Sequence, residues 1–272
     1  MKRILFLLIF SSVLINCSSS LKPISPSQYS KKEIDKKFPY WKCGISDFLI
    51  SEEKKEYTRI TIAEKRYALE CMALMRLAVN IPEFVTRMHE YTNNNRKFMS
   101  SVEANLPNSP YNTYWGKEYD VNRLIEVIRT LEAEFRYTKA HQTANYMSAN
   151  VGNVRYTYLG YTNKIYTGTH CGLPNVDWTQ GIWDYNIGFM STAFHEHMHN
   201  IGFNHKSGIT TNGTKVTYDT PSALQNIIGG CGRVALEKYK EDFELLKAYY
   251  FNEYRHHLLE DTVYDPNAVS KK

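Results

Sequence analysis

The chain has 272 residues, 43% of them hydrophobic, and a formal net charge of +5. That is enough apolar material for one sizeable core and too much for a disordered chain. Lysines and arginines are scattered along the whole length with no arginine-rich block, so the charge gives no basis for nucleic-acid binding. The 21 tyrosines suit strands and wet interfaces, or simply a Tyr-rich core.

At the N-terminus, Met1-Lys2-Arg3 forms a short basic leader and Ile4 to Ile15 a mostly apolar run too short to cross a bilayer as a helix. Residues 1–16 therefore read as an export signal. Leu14-Ile15-Asn16-Cys17 resembles a bacterial lipobox, with Asn16 standing where Gly, Ala or Ser is usual. It predicts an exported lipoprotein held to the outer membrane or cell surface by a lipid anchor on Cys17. Residues 17–37 are polar and carry Pro23, Pro26 and several lysines, as a flexible tether would, leaving 38–272 as the folded part. Without Cys17, an even set remains: Cys43, Cys71, Cys171 and Cys231. In an oxidising compartment that set predicts disulfides. Spacing does not fix their connectivity; Cys43 with Cys71 and Cys171 with Cys231 is favoured because each pair stays within one half of the chain.

Along the folded part, Ile60 to Asn80 carries apolar residues at helical spacing until Pro82 interrupts them. Asn93-Asn94-Asn95 and Pro107 to Pro110 mark loops. The period near 3.6 over Leu124, Ile125, Ile128, Leu131 and Phe135 predicts a second amphipathic helix over 121–137. Val154 to Tyr161 and Lys164 to Tyr166 switch to alternating β-branched and aromatic residues and predict strands. Val234 to Leu259 predicts a long charged helix near the end. The chain thus divides into a helical part, about 38–110, and a second part, about 111–272, in an α+β protein.

The second part contains Phe194-His195-Glu196-His197-Met198-His199-Asn200-Ile201-Gly202-Phe203-Asn204-His205, which satisfies every fixed position of H-E-x-x-H-x-x-G-x-x-H. Four residues of α-helix turn through about 400°, so His195 and His199 project from one face, one turn apart, where both imidazoles can hold one metal ion. Gly202 tolerates a left-handed backbone and can end the helix, returning His205 as a third ligand. Three histidines leave a fourth position open on zinc, where water is acidified to a pKa of about 7 and Glu196 stands ready as general base. His197 lies on the opposite side of the helix and reads as a packed or exposed histidine; His170, His256 and His257 lack ligand spacing and read as surface residues.

These residues resemble the metzincin clan of zinc endopeptidases. The resemblance implies a mixed sheet before an active-site helix, an edge strand within Arg155–Thr167 that pairs with an extended protein or peptide substrate, and a turn beneath the metal. The clan has a Met in that turn, whereas no Met follows Met198 here; Tyr218 to Leu224 is the expected replacement, with Tyr218 a candidate to support the oxyanion. Trp41 to Asp47 faintly resembles the cysteine-switch segment of matrix metalloproteinases, although a disulfide at Cys43 is the simpler expectation. The alternative function is a surface binding protein with a vestigial or structural metal site. Glu196 argues against it, because a structural zinc site has no use for a base beside an open position.

Overall fold

The computed structural model describes residues 29–50, 59–94, 96, 98–99, 118–130, 132–139, 147–148, 164–167, 170–171, 185–200, 203, 209–211, 214–216 and 220–263. Its helices are α1 (Lys31–Lys37), α2 (Ile62–Asn80), α3 (Pro82–Asn93), α4 (Val121–Thr130), α5 (Tyr185–Asn200), α6 (Thr220–Lys238) and α7 (Lys240–Glu253), with a 3-10 turn at Arg255–Leu258. Its strands are β1 (Gly44–Ile50), β2 (Arg59–Ile60), β3 (Phe98–Met99), β4 (Glu118–Tyr119), β5 (Glu132–Lys139), β6 (Met147–Ser148), β7 (Lys164–Thr167), β8 (His170–Cys171), β9 (Ile209–Thr211), β10 (Thr214–Val216) and β11 (Thr262–Val263). The class is α+β, mostly helical. The expected strand over 154–161 lies outside the described residues.

Helix α2 is the axis of the core. Thr61 starts it with a capping box closed by Glu64, and Pro82 stops it by opening α3 at its first helical position. Buried residues occur all round α2, as expected of a helix enclosed by α5, α6 and α7 rather than lying on a surface. Its two buried cations are satisfied locally. Lys65 Nζ donates to the carbonyls of His257 and Glu260, and Arg76 donates to Phe38 O and to Asp35 of α1.

The Arg76 contact corrects the expected extent of the tether. Residues 31–37 form a helix capped by Ser30 and Glu33, docked by buried Ile34 and by ion pairs from Asp35 to Arg76 and from Lys37 to Asp242. Proline and lysine content suggested a tether up to Lys37; a capping box and one apolar anchor are enough to fold its last turns onto the body.

The main sheet has the order β1-β5-β7, and both described pairings are parallel. Because β1 precedes α2 while β5 follows α4, the two expected parts of the chain interleave in one sheet. The predicted helix over 121–137 stops at Thr130. Asp120 caps its start, and from Glu132 the sequence EAEFRYTK alternates, burying Phe135 and Tyr137 in the core. Ile128, Leu131 and Phe135 fit helical spacing by coincidence, which concealed the change of period. The predicted helix over 234–259 is also two elements. Helix α6 starts fourteen positions earlier, at Thr220, and gives way to α7 at Tyr239, whose hydroxyl hydrogen-bonds Glu83 of α3.

Neither favoured disulfide is formed. Cys43, Cys71 and Cys231 are buried thiols, and the side chain of Cys171 lies outside the described residues. Cys43 Sγ turns to Met72 O and to the Tyr250 hydroxyl, at 3.5 and 3.4 Å, rather than to Cys71. Burial pushes the thiol of Cys43 up to about 11 and that of Cys231 up to about 12.

Candidate metal centre

Helix α5 carries the histidine motif and is enclosed on nearly every side. Ile187, Phe189, Met190, Ala193, Phe194, His197 and Met198 are all buried. Counting about 100° per residue from Gly188, Thr192 falls at about 40°, His195 at −20°, His199 at 20° and Glu196 at 80°. Gly188 is exposed, and Thr192 and Glu196 are half-buried, so the accessible strip of α5 runs from about 0° to 80°, alongside the positions of the two motif histidines. His195 itself is 7% exposed. His197 falls at about 180°, the centre of the covered side.

What covers that side explains why the helix sits where it does. The inward residues of β5 pack against it, Phe135 on His197 and Tyr137 on Phe189, with ring centroids 5.5 and 5.8 Å apart. Trp41 closes the same side, 4.7 Å from Phe194 and 5.0 Å from His197. Trp41 holds φ at 50°, a left-handed conformation that costs a non-glycine residue about 1–2 kcal/mol. The indole is fully buried against Phe194 and His197. His197 is thus the packed histidine that its helical position implies. Burial pushes its pKa down to about 3, and it is a neutral imidazole.

Helix α6 flanks α5 in antiparallel fashion. Gln225 Nε2 donates to Thr192 Oγ1 at 3.1 Å, while Gly229 lies against Ser191 and Ile187 and Gly232 against Met190. Following that direction backwards brings the first turn of α6, at Thr220, beside the histidine end of α5. The expected replacement turn over 218–224 is therefore corrected. From Thr220 the chain is helical, Pro221 occupies the first turn that proline favours, and Leu224 is a core residue of α6. Thr220-Pro221 followed by apolar Leu224, Ile227, Ile228 and Cys231 is a helix-start signal present in the sequence; Gly229, Gly230 and Gly232 obscured it.

The C-terminal end of α5 is closed by a hydrogen bond from Phe203 N to Met198 O at 3.0 Å. This six-to-one bond belongs to the helix ending that favours glycine just before its donor, and the sequence places Gly202 there. Gly202, His205 and Tyr218 lie outside the described residues, as do the side chains of His199 and His170. Among the described residues, no group of three or more His, Cys, Asp or Glu side chains is gathered closely enough to hold a metal. Nor does any described helix have the length and apolarity to cross a membrane. Of the remaining histidines, His256 is exposed, whereas His257 is half-buried against Phe48 and Tyr254, and burial lowers its pKa. Cys43 packs against Met72 of α2 and Tyr250 of α7.

No protein-family model matches the chain, and no curated protein or solved structure matches it.

Proposed function

We propose that the chain is a zinc-dependent endopeptidase of metzincin type, in which His195, His199 and His205 hold the metal and Glu196 is the general base. The observation that carries this reading is the complete H-E-x-x-H-x-x-G-x-x-H sequence, whose first half lies on one uninterrupted helix with the His195 and His199 positions about 40° apart around its axis. The donor set suits zinc: imidazole is a preferred ligand, and three protein ligands leave a position for chemistry. Zinc, when bound, supplies Lewis acidity that polarises the scissile carbonyl and acidifies water. Glu196, one residue along from the first ligand and half-buried beside the strip, takes the proton of the attacking water and returns it to the leaving amine. Tyr218, immediately before α6, is the residue assigned to the oxyanion.

In this reading the substrate is an extended protein or peptide segment that adds to the free side of β7, the edge of the three-stranded sheet among the described residues. The lipobox-like sequence ending at Cys17 puts the enzyme on a bacterial envelope, outer membrane or cell surface, held by its lipid. The test is a zinc determination on purified protein together with cleavage of casein or a quenched peptide library. One equivalent of zinc and cleavage that a chelator stops and zinc restores are expected. Cleavage indifferent to chelation would end the proposal.

A further inference from the structure

Away from the motif helix, a cavity of about 160 Å³ opens between α1, the start of β1, α2 and the end of α7. We propose that it binds a small zwitterion of the α-amino-acid class. Its lining includes three cations, Lys31, Lys42 and Arg76. Arg76 lines the cavity with a side chain only 3% exposed. Its Nε and Nη2 donate to Phe38 O at 3.2 and 2.6 Å, and Nη2 also to Asp35 Oδ1 at 2.6 Å. Nη1 has no acceptor among the described residues and is not an enclosed atom, so it can donate to a ligand in the cavity. Lys42 Nζ, in the same wall, stands 3.8 Å from the other oxygen of Asp35. Two cations around one carboxylate leave local positive charge in excess and a donor to spare, the complement of a ligand carboxylate.

The other polarity is also present. Glu132 at the start of β5 and Glu253 at the end of α7 line the same cavity, and neither has an ion-pair partner among the described residues. They match a ligand ammonium group and disfavour phosphate or another purely anionic guest. The volume suits several ordered waters or one small organic molecule and is too small for a folded or extended peptide. Gly44 keeps the wall in shape, since a Cβ there would fall on the Tyr254 hydroxyl, which accepts a hydrogen bond from Ile45 N. The inference uses no residue of the metal site and stands or falls apart from it.

The experiment is calorimetry and ligand-observed NMR on the full-length protein with alanine, serine and glutamate, and with propionate, ethylamine and inorganic phosphate as single-charge probes. At least one amino acid should bind saturably, with propionate, ethylamine and phosphate at least about tenfold weaker. Arg76 also anchors α1, so the informative variants are Glu253→Gln and Lys42→Met at the more exposed wall. Each should weaken the amino acid at least about fivefold while leaving the melting temperature unchanged. Failure of all three amino acids to saturate below about 10 mM, or equal binding by a single-charge probe, would overturn the proposal. So would variants that bind as the parent does.

Discussion

His197 has no hydrogen-bond partner for either ring nitrogen among the described residues, and this single buried imidazole ties stability to pH. The unfolded chain takes up a proton near pH 6.5, whereas the folded chain refuses it down to about 3. Stability contributed by the neutral ring is therefore complete above pH 6.5 and is lost progressively as pH falls below it, at about 1.36 kcal/mol per unit. Urea unfolding of metal-free protein at pH 7 and pH 5 should show the parent losing about 2 kcal/mol more than His197→Leu. Equal losses would mean that the imidazole is solvated or paired. His199, two residues on, belongs to the proposed ligand set, so His199→Ala should lower zinc affinity as well as turnover, because neutral imidazole supplies the coordination and no neighbour at helical spacing replaces it. Unchanged zinc content in His199→Ala would remove that residue from the ligand set.

Glycine is the unexpected feature at the scale of elements. Helix α6 carries Gly229, Gly230 and Gly232 where it lies beside α5 and α3, and each lowers helix propensity by about 1 kcal/mol relative to Ala. Their neighbours differ. A Cβ on Gly232 would come within 2.6 Å of Met190 Cε, and one on Gly230 within 2.8 Å of Arg87 Nη1, whereas one on Gly229 meets nothing nearer than 3.6 Å. Gly229→Ala should therefore raise stability by about 0.5–1 kcal/mol, read as a higher urea midpoint at unchanged slope, with Gly232→Ala gaining less because Met190 must shift. A destabilised Gly229→Ala would show that the α5–α6 spacing is tighter than described. The same glycines explain why α6 was not legible from periodicity, while α2, with its capping box, uninterrupted apolar residues and Pro82 stop, was. The boundary between α4 and β5 was hidden for a different reason, since two periods overlap at Leu131 and Phe135 and only the buried partner surface of α5 decides between them. At the site, the i, i+4 geometry and the covered position of His197 follow from helix geometry alone. The start of α6 under the histidine end did not, because helix pairing is a tertiary choice.

As a whole, the molecule encloses the motif helix between the β1-β5-β7 sheet with Trp41 on one side and α2 with α6 on another, leaving one strip accessible. Helix α1, docked by Arg76, is part of the body, so any tether to a lipid on Cys17 ends before Lys31. Cys17→Ser should abolish lipid labelling and move the protein from the detergent phase to the aqueous phase, and unchanged partitioning would remove the anchor from the account. The proposed peptidase chemistry places its full weight on Glu196, a base and not a ligand. The most direct measurement is the zinc content and peptide-cleavage rate of Glu196→Gln beside the parent. The account predicts equal zinc loading with turnover reduced at least about a hundredfold, in line with the loss of a general base. Cleavage by zinc-loaded Glu196→Gln at the parental rate would contradict it.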